Sequence, residues 1–156
     1  MVRTARYAFA FLALAFAAGI VLQVFFIGLG LFVGSENLAL HREFGWILHL
    51  APLLVVVAAA LAGAGRTRIL QAVALVGVVW IVPILAAVRT DLPMVAAFHP
   101  VGALVAFVLS LVVARGSLEL LREQDPSSRT MRGEWILVAV VVVIVLFLSF
   151  SGSPEA

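Results

Sequence analysis

Residues 7–33 form a stretch of 27 without a charged side chain, broken in its apolar character only by Gln23. Three further runs of similar character follow, over residues 44–64, 69–88 and 94–114. A helix needs about 20 mostly apolar residues to cross the hydrocarbon core of a bilayer. A chain of 156 residues has too little polar surface to bury four such segments in water. The pattern therefore predicts an all-α integral membrane protein, with a four-helix transmembrane bundle over residues 1–115.

Composition agrees. Apolar residues make up 65% of the chain and charged residues 12%, against about 25% charged in soluble domains. A fifth apolar run over 135–151 is short for a span but is expected to cross, after a polar linker over 116–134 and before a tail over 152–156. The first run resembles a secretion signal in its arginines and small residues. It continues well past the roughly 7–15 apolar residues of a signal, so a retained helix is expected.

All ten basic residues are arginine. That usage, with abundant Ala and Val, suggests a high-GC bacterial genome and hence a bacterial cell membrane. With the N-terminus inside, eight arginines fall on the cytoplasmic side and only Arg42 and Arg89 outside, the asymmetry expected of a multi-pass protein. No basic patch suggests nucleic acid as a partner. The chain has no cysteine, which excludes disulfides and thiolate metal sites. No HExxH motif, Walker loop or dinucleotide fingerprint occurs. No acid lies inside a span, against a carboxylate proton relay. No catalytic residue is assigned.

The informative polar residues are histidines. His49 lies 17 residues before Arg66 and His99 lies 16 before Arg115. At 1.5 Å per residue both imidazoles sit roughly 25 Å above those arginines, at matched depth. At 100° per residue, His49 shares its face with Gly45, Pro52 and Ala60, and His99 with Gly102, Ala103 and Ala106. Gln23 shares its face with Gly19 and Gly30. Small residues let helices approach, or leave room for a flat cofactor.

Two histidines at one depth suit axial ligation of a haem b iron, with His49 and His99 as the metal ligands. Each second ring nitrogen would then need a partner, such as a carbonyl freed near Pro52 or Pro100. Phe44, Trp46, Phe98 and Phe107 would supply apolar contact, and Arg42 and Arg89 would pair with propionates. His41, about 12 Å further out than His49, replaces it as ligand if the second helix starts earlier. The rival reading gives the histidines only hydrogen bonds between helices, in a cofactor-free accessory or scaffold subunit of a larger membrane complex or a homo-oligomer. A quinone ligand and a transporter are further alternatives. A zinc site from His41, Glu43 and His49 is poorly spaced. Gln23 and Gln71 read as packing groups.

Leu22-Gln23-Val24-Phe25 with Gly28-Leu29-Gly30, then Leu40-His41-Arg42 with Gly45, then Phe98-His99-Pro100 with Gly102 and Ala103, resembles a group of small uncharacterised bacterial four-helix membrane proteins. More distantly, His41-Arg42 with Gly45 and a histidine on the fourth helix resemble one half of haem A synthase. That resemblance implies a haem faced by His41 and His99. The glutamate that precedes the enzyme's helix-two histidine is not matched, since the nearest acid upstream is Glu36, five residues before His41. No catalytic role is carried over.

Overall fold

The computed structural model describes residues 2–123. The expected fifth helix over 135–151, the tail and most of the linker lie outside the described residues. Those described are helical, with no strand. Helix α1 covers Val2–Phe32, and a 3-10 turn over Ser35–Asn37 leads into α2, Leu38–Leu61. Helix α3 covers Gly65–Ala87, a single turn α4 covers Pro93–Ala96, and α5 covers His99–Arg122. Four segments are long and apolar enough to cross a membrane, with mean hydropathy between 2.2 and 2.5.

Helix ends differ from the apolar runs: α1 begins at Val2 and α3 at Gly65, five and four residues early, and three further differences bear on the histidines and the linker. Helix α2 starts at Leu38, six residues before the expected 44. The fourth run is broken after α4, so that His99 opens α5, although Pro93–Arg122 together still form one candidate span. Helix α5 continues to Arg122, through the first part of the expected linker. The two extensions share a cause. A helix is held by backbone hydrogen bonds, and these continue through charged residues once the apolar run ends.

The main packing runs from α1 to α2, α2 to α3, α3 to α5 and α5 back to α1. The helices therefore form a closed ring in which α2 and α5 lie on one diagonal, α1 and α3 on the other. Helix α1 is the most enclosed, with 44% of its most apolar window buried against 11% for α3 and α5. Large side chains such as Ile47, Leu61 and Leu104 point outward, an arrangement suited to lipid.

Close approach depends on small residues, as expected in a bundle of this kind. A Cβ at Gly19 would lie 2.6 Å from the Leu48 Cδ1 on α2, and one at Gly30 would collide with Leu38. Ala58, Ala59 and Ala62 are buried on α2 and just past its end, and Ala13, Ala17 and Ala18 on α1.

One end of the bundle is fixed by Arg6. Its Nε donates to the Ala62 carbonyl at 3.2 Å, and its other guanidinium nitrogen donates to the Leu120 carbonyl at 3.3 Å. Both carbonyls lie at helix ends, where the main chain runs out of amide donors. Helix α2 closes in a Schellman turn. The Gly63 amide donates to Ala60 and the Ala64 amide to Ala59, with Gly63 at φ 63°.

Substitutions at this end test the clamp and the turn separately. Arg6→Ala should lower unfolding free energy by about 2 kcal/mol, and Arg6→Lys should restore only part, since a guanidinium fork spans two carbonyls better than an ammonium does. Denaturant titration in detergent, read by helical circular dichroism, measures both; an unmoved midpoint for Arg6→Ala removes the clamp. Gly63→Ala should cost about 1 kcal/mol because its φ is left-handed. Gly77→Ala, where a Cβ meets open space inside a helix, should be neutral or mildly stabilising.

Candidate functional site

At the end opposite Arg6 the ring of helices opens into a cavity of about 450 Å³. His41, His49 and His99 all line it, as do Arg42 and Arg89. Its walls are mostly apolar, with Phe16 and Ile20 from α1, Val79 and Val82 from α3, and Ala103 and Ala106 from α5. All four long helices contribute.

His41 and His99 face each other across the α2–α5 diagonal. Their ring centroids are 6.3 Å apart and their planes cross at 80°. Each ring is held through Nδ1 by a backbone carbonyl on an adjacent helix. His41 Nδ1 is 3.2 Å from the Gln23 carbonyl on α1, and His99 Nδ1 is 2.8 Å from the Val82 carbonyl on α3. A carbonyl only accepts, so Nδ1 carries the proton in both rings. In the neutral imidazole Nε2 is then a bare lone pair. These carbonyls replace the expected ones near Pro52 and Pro100. They are already within helices, and a carbonyl has a second lone pair for the imidazole.

His49 does not pair with His99. It lies two turns deeper on the His41 face of α2, stacked on Trp80 at 5.0 Å and 26°, with Trp46 at 6.0 Å. Matched depth still holds, but for His41. Arg6 joins Ala62 to Leu120, and from those residues His41 and His99 are each 21 positions along the chain.

Sequence reasoning read Gln23 only as a packing group. Its carbonyl holds His41, and its side chain lies against Gly45, where a Cβ would approach Nε2 to 2.7 Å. Its Oε1 is buried and has no hydrogen-bond partner among the described residues. The signal available was the isolation of this amide in an apolar run facing glycine. Gly102 serves helix approach: a Cβ there would sit 3.1 Å from Val82 Cγ2, and its absence lets His99 reach the Val82 carbonyl. Of the expected aromatic contacts only Trp46 lines the cavity. Phe44 packs edge-on against Phe26 at 5.5 Å, and Phe98 is turned outward. No group of three or more His, Asp or Glu side chains comes together as a metal site among the described residues, so His41, Glu43 and His49 do not form one.

Residues 23–90 match a family described as a family of unknown function (DUF6220). That stretch is less than half of the chain. It takes in Gln23, His41, His49 and Arg89 and ends before His99. No curated protein and no solved structure matches the chain, and the likeness to haem A synthase finds no support there.

Proposed function

We propose that this chain is a multi-pass membrane protein that binds a b-type haem between His41 and His99, for electron transfer or haem handling. The observation that carries this reading is the facing pair of imidazoles, each with Nδ1 held by a carbonyl. Two bonds of about 2 Å from ring nitrogens to one metal, plus the inner half of each ring, put the centroids of opposed ligands about 6 Å apart. The 6.3 Å separation suits that arrangement. A bare ion would need about four ligands, and the described residues bring together no third acidic or imidazole group. A macrocycle that brings four nitrogens of its own needs only two more.

The remaining residues fit the same group. A cavity of about 450 Å³ falls within the roughly 300–1,000 Å³ of cofactor pockets. Arg42 and Arg89 would hold the propionates through charge-assisted hydrogen bonds. The carbonyls of Gln23 and Val82 orient the rings and raise the basicity of Nε2. Ile20, Val79, Ala103 and Ala106 keep water away. When bound, such a haem supplies one-electron chemistry, its potential tuned by the two imidazoles and their burial. No catalytic residue is proposed.

Orientation belongs to the same reading. The antiparallel bundle gathers Arg3, Arg6, Arg66, Arg68, Arg115 and Arg122 at one end and leaves Arg42 and Arg89 at the other. By the positive-inside rule the arginine-rich end, with the N-terminus, faces the cytoplasm of a bacterial cell.

A cofactor-free accessory subunit is the rival. It is favoured by one observation: both histidines already tie neighbouring helices together. Absorption spectra of protein expressed with ample haem and purified in detergent separate the two. The haem reading expects a Soret band at one haem per chain and a sharp α band on reduction. His41→Ala and His99→Ala should each abolish the six-coordinate spectrum, and His49→Ala should keep it. The crossed imidazole planes predict a strongly anisotropic low-spin electron paramagnetic resonance signal. Colourless, folded protein overturns the haem reading and leaves the accessory subunit.

A further inference from the structure

A second cavity, of about 670 Å³, lies at the arginine-rich end between α3 and α5. Arg66, Arg68 and Arg115 line it, with Thr67 and Gln71 from α3 and a single acid, Glu119, from α5. Two of the arginines are placed by acids. Arg68 donates to Glu123 at 2.7 Å, and Arg115 to Glu119 at 2.9 Å. Each contact takes one of a guanidinium's five N–H donors, which leaves the others available. Arg66 is exposed and makes no ion pair among the described residues. Gly116 provides the floor for Arg68, whose side-chain atoms lie 3.6–3.7 Å from where a Cβ would be.

The backbone adds to the same field. Helix α3 begins here without a side-chain cap and without an acid in its first turn. Its first amides and its dipole therefore favour an anion. The wall is not wholly polar. Val112 lines the cavity and is exposed, and Val108 and Val105 continue an exposed apolar stripe along α5 towards the middle of the bundle. A ligand that fits has an anionic phosphate at one end and a hydrocarbon tail that can lie along that stripe.

We infer that this cavity binds the phosphate of an anionic phospholipid headgroup. Basic pockets between membrane helices on the cytoplasmic side take such headgroups, and Arg66 and Arg115 are the contacts that would set the affinity. The inference shares with the haem reading the bilayer and the cytoplasmic placement of this end; its site and its readout are separate.

The test uses the full chain in a neutral detergent, with bound lipids counted by native mass spectrometry and stability followed by thermal unfolding. Phosphatidylglycerol should bind at one retained copy and raise the unfolding temperature, and phosphatidylcholine should do neither. Arg66→Ala should weaken phosphatidylglycerol about fivefold, and the double variant Arg66→Ala with Arg115→Ala by more than twentyfold, or roughly fivefold for each arginine. Arg3→Ala, at the same end but outside the cavity, should bind as the unaltered chain does. Equal binding of phosphatidylcholine overturns the inference. So does an equal effect of inorganic phosphate alone, which makes the site one for free phosphate. A loss in Arg3→Ala as large as in Arg66→Ala also overturns it, because diffuse surface charge would then suffice.

Discussion

The bond from Arg6 to two helix ends sets the level of α2 against α5. These helices lie on a diagonal of the ring, and their direct packing is slight. Their relative height is fixed by what each shares with α1 and α3, and Arg6 on α1 is a polar point common to both, donating to Ala62 and Leu120. A slip of one residue would move a side chain by about 1.5 Å and turn it by about 100°. Either change would take His41 out of line with His99. The geometry of one end of the bundle therefore depends on a guanidinium some 30 Å away, at roughly 21 residues of helical rise.

Apart from the arginine–glutamate pairs at the arginine-rich end, the polar side chains that hydrogen-bond within these helices bond to the main chain. Ser110 and Ser117 donate to carbonyls one turn back, and Arg6, His41 and His99 donate to carbonyls on other helices. In an apolar surrounding, an unpaired polar group costs a few kcal/mol, so main-chain oxygens with a spare lone pair are the natural partners. Gln23 Oε1 departs from this pattern, and it does so in the wall of the histidine cavity.

The spans were legible because a run of about 20 apolar residues matches the thickness of a bilayer and is too long for most soluble cores. Their ends were not, because charge does not stop a helix. Beginning the second helix at residue 44 placed His41 outside it and made His49 the natural ligand; the true start at Leu38 puts His41 in the first turns of α2. Counting depth from Arg66 and Arg115 matches His49 with His99, whereas counting from Ala62 and Leu120, which Arg6 joins, matches His41 with His99. The small-residue faces were read correctly in kind. Gly19 and Gly30 do seat Leu48 and Leu38. Which small residue clears a cavity and which brings two helices together depends on the partner across the gap, and one helix's periodicity cannot name that partner.

What sets the histidine cavity apart from ordinary packing is its balance of donors and acceptors. With Nδ1 protonated and committed to a carbonyl, a neutral imidazole offers only a lone pair at Nε2. Two such rings cannot satisfy one another, because neither has a proton to give. Gln23 adds an amide to the same wall, with Oε1 an acceptor that lacks a partner among the described residues, while the donors of Arg42 and Arg89 line the cavity too. If the histidines served only to tie helices, a single apolar side chain at either position would fill the gap and remove the mismatch. Were both Nε2 lone pairs to share one group, as the proposed haem would require, that group would be a double donor, as water is, or an electron-pair acceptor. Water meets the requirement through two hydrogen bonds, with no need for crossed rings at a ligand's spacing. The proposed haem would meet it with both rings, and the flanking Arg42 and Arg89 would supply the positive charge that its carboxylates need.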